Sequence, residues 1–119
     1  MLYICFCSDS FQEENHNVNI HVPFRVKDSS YLAIAKDTFQ EWVKVFEPEI
    51  IFWNWGYDGT IGEYGDIGLS PELHLQMARE IRKLADEVCS GRLIIILCGG
   101  SRRDYAKLLI PQIITILLD

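Results

Sequence analysis

Two stretches of this 119-residue chain put side chains capable of chemistry at the ends of apolar runs. Trp55-Gly56-Tyr57-Asp58 leaves the run Glu49–Trp55, and Cys98-Gly99-Gly100-Ser101 leaves the run Leu93–Leu97. Asp58 is the first carboxylate after its run and sits in a glycine-flanked loop. Carboxylate oxygen is a proper ligand for zinc or another divalent cation, although aspartate before glycine also serves to fix a turn or cap the next element. Gly99-Gly100-Ser101-Arg102-Arg103 opens a helical pattern. Its backbone N–H groups and two arginines could hold a phosphate or carboxylate. Alternatively, the glycines permit a tight strand-to-helix turn and Ser101 caps the helix. The three histidines do not cluster: His16 falls in a polar loop, His21 in an alternating segment, and His74 toward the solvent side of a helix start. Solvated or structural roles are expected for each. Glu63 and Asp66 are expected at the surface, close enough to tune Asp58, and Tyr57 either walls a pocket or packs against the neighbouring loop.

These residues need elements to position them. Leu2–Phe6 is a short run of β-formers, and Val18–Phe24 alternates apolar and polar residues, with Pro23 marking an edge or irregular strand. Ser8–Asn17 reads as loop. After candidate caps at Ser29 and Ser30, Leu32, Ala35, Phe39, Trp42 and Phe46 form one helical stripe that Pro48 closes. Glu49–Trp55 is too short and too β-prone for a helix and reads as a buried strand. Gly56–Ser70 holds five glycines and three acidic residues and reads as a long loop of the kind that is usually functional. Ser70-Pro71-Glu72 starts a helix, Leu73, Met77, Ile81, Leu84 and Val88 give its stripe, and Gly91 ends it. Leu93–Leu97 is a second fully apolar strand, followed from Arg102 by a helix that Pro111 should kink or restart. The order predicts α/β layering with a parallel sheet, helices on both faces and a single domain over residues 1–119. In such sheets sites form at the carboxyl ends of strands. One helix separates the two apolar strands, so a right-handed crossover brings the Asp58 and double-glycine loops to one edge.

Composition narrows the partners. The net charge of −6 argues against a nucleic-acid surface, which needs a basic stripe. No apolar run reaches the ~20 residues that span a bilayer, and Met1–Ser10 lacks the basic start of a signal peptide, so a cytoplasmic protein without a membrane segment is expected. Cys5, Cys7, Cys89 and Cys98 form no C-x-x-C pair, and buried free thiols in a reducing compartment are expected.

The run from Phe46 to Gly100 resembles the carboxyl-terminal half of histone deacetylase-like proteins, a family that includes the acetoin-utilisation and acetylpolyamine amidohydrolase branches. Phe46-Glu47-Pro48-Glu49, Gly56-Tyr57-Asp58, Gly68-Leu69-Ser70 and Gly99-Gly100 match the family pattern in order. Upstream, Val22-Pro23-Phe24 and the strand Leu2–Cys7 resemble family segments too, so the likeness covers nearly the whole chain. The resemblance implies a three-layer α/β/α sandwich of the arginase/deacetylase kind and zinc-dependent removal of acetyl from an acetylated amine. Within it, Asp58 matches a zinc-ligand position, and Gly56, Tyr57, Gly99 and Gly100 match residues at the substrate site. The family's Asp-x-His ligand pair and paired histidines have no counterpart in this chain. Ser101 stands where the family has a carbonyl-polarising tyrosine, and its hydroxyl is too short to reach the same oxygen. One carboxylate does not hold zinc tightly, since catalytic sites use three protein ligands. The expectation is therefore little activity in the isolated chain, together with a partner chain supplying the amino-terminal half, or a homo-oligomer covering bare edges and faces. Two alternatives stay open: a non-catalytic interaction module derived from that fold, and an anion-binding domain using Gly99–Arg103.

Overall fold

The computed structural model describes residues 1–7, 12–14 and 17–119; His16 lies outside them. Strand β1 (Tyr3–Cys7) pairs in parallel with β3 (Asn17–His21), and the short β2 (Gln12–Glu14) adds to β3 in antiparallel fashion. That short strand falls inside the stretch expected to be loop. A second sheet consists of β4 (Ile51–Trp55) and β5 (Leu93–Leu97), parallel and in register from Ile51↔Leu93 to Trp55↔Leu97. Parallel α/β layering is thus as the sequence predicts.

Helix α1 (Asp28–Thr38) begins earlier than the serines suggest: Lys27 occupies the cap position, without a side-chain bond, and Ser29 and Ser30 lie inside the helix. It continues through a widened π turn (Phe39–Val43) into α2 (Lys44–Phe46). The extra residue per turn shifts the stripe, so Val43 is buried while Trp42 is only partly covered and Phe46 is exposed. Helix α3 (Pro71–Cys89) follows its sequence signals closely. Ser70 Oγ accepts from Leu73 N at 3.2 Å, proline opens the helix, and Ser90 in the left-handed conformation ends it. Ser70 also donates to Asp28 at the start of α1, which ties the two helix beginnings together. Helix α4 (Arg103–Leu118) runs through Pro111 instead of restarting there.

Two apolar clusters form the core. One joins Val22, Phe39 and Val43 to Leu69, Leu73, Met77, Ile81 and Leu84, with Ile4, Phe6, Ile51 and Leu93 packed against it. The other joins Trp55 and Tyr57 to Leu75, Ala78, Leu109 and Ile113, with Trp53 and Ile95 against it. Helix α3 belongs to both, so it is buried on a wide arc rather than along one stripe. The strands present alternate residues to these helices. Their other residues, Phe52, Ile94 and Ile96, stay exposed, because the described helices cover one face of β4–β5 and not both. No disulfide joins the four cysteines, and Cys98 is exposed rather than buried. No helix among the described residues is long and apolar enough to cross a membrane.

Candidate functional site at the β4–β5 rim

The β4–β5 pairing runs past the strand ends. Cys98 N donates to Trp55 O at 2.7 Å, and Tyr57 N donates to Gly99 O at 2.9 Å. These two bonds hold the Asp58 loop and the double-glycine turn side by side at the carboxyl end of both strands, where open α/β sheets place their sites.

Asp58 is half-buried there among glycines. A Cβ added to Gly56 would stand 2.6 Å from Asp58 Oδ1, one on Gly99 would stand 2.5 Å from the same oxygen, and one on Gly65 would stand 3.0 Å from Oδ2. The carboxylate therefore occupies space that only hydrogen side chains leave open. Gly100 has φ +127°, and a Cβ there would collide with the Tyr57 ring. Tyr57 itself is buried, 5.8 Å between ring centroids from Trp55, so it supports the rim from beneath. Tyr64, which the sequence reading passed over, brings its hydroxyl to the same turn. Gly100 N donates to its Oη at 3.2 Å, and both this oxygen and Asp58 Oδ1 lie within 3.1 Å of the point where a Gly99 Cβ would stand.

Ser101 does not cap α4. Its N–H donates to Glu63 Oε2 at 2.8 Å and its hydroxyl to Glu63 Oε1 at 3.1 Å, while Arg102 N donates to Oε1 at 2.6 Å. Glu63, expected at the surface, is 6% exposed. It acts as the anion at the amino end of α4, where the helix dipole favours negative charge. Desolvation pushes its carboxyl upward, but the bonds from Ser101 and Arg102 outweigh that and hold it below the ordinary range. This overturns the anion-binding alternative for Gly99–Arg103. The N–H groups of Ser101 and Arg102 already bind the chain's own carboxylate, Gly100 N binds Tyr64, and the Arg102 guanidinium pairs with Asp104 at 2.5 Å. Asp66 closes the loop by accepting from Gly62 N (3.0 Å) and Gly68 N (2.8 Å); those bonds lower its pKa.

His74 is buried, not solvated. Trp55 Nε1 donates to its Nδ1 at 3.1 Å, which leaves the ring proton on Nε2, facing Thr60 Oγ1 at 2.7 Å. The neutral ring thereby links β4, the Asp58 loop and α3. Burial pushes its pKa down to about 4, against the pull of Asp28 and Asp58. His21, at the end of β3, is exposed and far along the chain from this rim.

The described residues contain no group of three His, Cys, Asp or Glu side chains able to hold a metal ion. Asp58 presents a single carboxylate at this rim.

The histone deacetylase domain model matches residues 6–117. Histone deacetylase 14, chloroplastic, of Arabidopsis thaliana is 26% identical over 88 residues, 73% of this chain and 21% of that protein. A probable deacetylase of Archaeoglobus fulgidus is 27% identical over 88 residues, 73% of this chain and 24% of its own length. The chain thus spans about a quarter or less of the curated relatives it matches. Among solved structures, the HDA15 HD domain superposes with TM-score 0.64 at 21% identity, covering 98% of this chain and 38% of that domain. The chain belongs to the histone deacetylase domain family.

Proposed function

We propose that this chain is the carboxyl-terminal part of a zinc-dependent deacetylase-like amidohydrolase, which removes acetyl from an acetylated amine, and that it contributes Asp58 as one zinc ligand. The observation that carries this reading is the half-buried Asp58 carboxylate in its glycine cradle, beside the double-glycine turn. Gly56, Gly99 and Gly100 shape that rim, and Tyr57 supports it. Zinc, when bound, would supply Lewis-acid activation of the acetyl carbonyl. This chain's part is to present one carboxylate and to fix its direction. The ligands absent from the described residues would come from the part of the domain outside the matched region, on this or on another chain, and residues 1–119 alone are expected to be inactive. The setting is cytoplasmic.

A second reading, a non-catalytic interaction module, draws support from Ser101. It stands at the family tyrosine's position, and Glu63 accepts its hydroxyl hydrogen. The exposed Phe52, Ile94 and Ile96 face suits self-association or another partner under either reading. Tyr64 is the phenol this chain places at the turn, so it is the residue to test in place of Ser101.

The readings separate in a complementation experiment. The chain is co-expressed with the part of the HDA15 HD domain outside the matched region, and zinc content and hydrolysis of an acetyl-lysine peptide are measured. Bound zinc that falls on Asp58→Asn supports the enzyme reading. A stable complex with no zinc and no Asp58 dependence supports the interaction module.

A further inference from the structure

Two hydroxyls reach the double-glycine turn, and their hydrogens go to different places. The Ser101 hydroxyl donates to Glu63 Oε1 at 3.1 Å, so its hydrogen is engaged inside the protein. The Tyr64 hydroxyl accepts from Gly100 N at 3.2 Å, and among the described residues no group accepts its own hydrogen. A phenol has one hydrogen to give, and here it is left for a molecule that comes to the rim. The Tyr64 ring is 71% exposed, which keeps the hydroxyl open to such a molecule.

That hydroxyl is also held in place. Tyr64 stands between two anchored neighbours: Glu63 accepts from the N–H groups of Ser101 and Arg102, and Gly65 N donates to Asp58 O at 3.0 Å. The loop is therefore pinned on either side of Tyr64, and the Gly100 bond fixes the far end of its side chain. Asp58 Oδ1 and Tyr64 Oη lie 2.5 and 3.1 Å from the point where a Gly99 Cβ would stand. A carboxylate and a hydrogen-bond donor thus border one gap, which glycine keeps open. Accepting from Gly100 N also makes the hydroxyl a stronger donor, because linked hydrogen bonds polarise one another.

We propose that Tyr64 donates the hydrogen bond to the acetyl carbonyl oxygen of the substrate, a task the engaged Ser101 hydroxyl does not perform. The proposal rests on the deacetylase reading and deepens it. In the hydrolysis, water adds to the carbonyl carbon and the C=O π pair moves onto oxygen. The carbon–nitrogen bond then breaks, the oxygen pair re-forms the carbonyl of acetate, and both hydrogens of the water end on the amine, which leaves as ammonium. Tyr64 keeps its proton throughout. Its bond is strongest while the oxygen carries charge, and that difference lowers the barrier.

The test compares the full chain with Tyr64→Phe, each co-expressed with the part of the HDA15 HD domain outside the matched region. Phenylalanine keeps the exposed ring and removes only the hydroxyl; zinc content and urea denaturation check that nothing else has changed. Hydrolysis of an acetyl-lysine peptide is one readout. The other is binding of a trifluoromethyl ketone analogue of acetyl-lysine, whose hydrated carbonyl carbon mimics the tetrahedral stage. In the variant, kcat should fall by about 10²–10³-fold while KM changes by less than about threefold. Affinity for the analogue should fall in proportion to kcat, with zinc content the same. Unchanged kcat, or slower hydrolysis with analogue affinity intact, would overturn the role of Tyr64, while bound zinc that depends on Asp58 would keep the deacetylase reading. A fall in kcat that tracks lost zinc or lost stability would make Tyr64 structural and also overturn the proposal. A complex with neither zinc nor hydrolysis would overturn the deacetylase reading and this assignment together.

Discussion

Acidification should destabilise this protein through His74 in particular. The ring accepts from Trp55 Nε1 through Nδ1 and faces Thr60 through Nε2, so an added proton would place N–H against N–H at the tryptophan. Its pKa in the fold is about 4, against 6.5 ordinarily, with burial as the main cause. Above pH 6.5 the ring is neutral in both the folded and unfolded chain and adds no pH dependence. As pH falls from 6.5 toward 4, the unfolded chain binds the proton and the folded one does not, so stability is lost. Below about 4 both states carry it and the loss levels off. At 1.36 kcal/mol per pKa unit, the full loss is about 3 kcal/mol. Urea denaturation followed by tryptophan fluorescence, from pH 7.5 to 4, measures it in the wild type and in His74→Gln, which keeps an acceptor and a donor but does not titrate. Carboxylate contributions are common to both proteins and cancel in the difference. The wild type should lose about 3 kcal/mol more than the variant over this range. Parallel stability profiles would refute the assignment of a buried neutral imidazole.

Other perturbations follow from the same geometry. Gly99→Ala should displace Asp58, because its Cβ would stand 2.5 Å from Oδ1; a cost of about 1–3 kcal/mol in urea denaturation and lost zinc in the complemented complex are expected. Glu63→Ala should free the amino end of α4, seen as faster amide exchange at Ser101 and Arg102, and Glu63→Gln should recover only part of the protection. The Glu63 carboxyl is held below its ordinary range, so its contribution is present at neutral pH and is lost as pH falls through the folded value. Leu109→Ala, at a site with no exposure, should cost about 2–5 kcal/mol in the same denaturation assay.

Much of this architecture was legible from local signals. The β-prone runs before Gly56 and Gly99 and the Ser70-Pro71-Glu72 start gave β4, β5 and α3 because each depends on neighbours in sequence. Asp58 and the double glycine were placed at one rim by the crossover rule alone. The burial of Glu63 is not legible in the sequence because its partners, Ser101 and Arg102, lie 38 and 39 residues away, and a loop glutamate carries no local mark of such a bond. His74 has the structural role expected of it, but its burial is not legible if α3 is read as having one stripe. Leu75 and Ala78, spaced by three and offset from Leu73 and Met77, were the signal of a second buried face on α3. Apolar strands suggested cover on both sides, but periodicity does not tell whether the covering element belongs to the same stretch of chain. The shift from Phe46 to Val43 came from the π turn, which an ideal helical period does not anticipate.

On the proposed function, Asp58 and the double-glycine turn form one metal-facing rim. Manganese(II) titrated into the isotopically labelled chain, with backbone amide spectra recorded at each step, tests this most directly, since even weak binding to one carboxylate broadens nearby signals. The amides of Asp58, Gly99, Gly100 and Tyr64 should broaden together, and Asp58→Asn should abolish the effect. Broadening centred on another acidic loop, or on the Asp58 loop without the double-glycine turn, would contradict it.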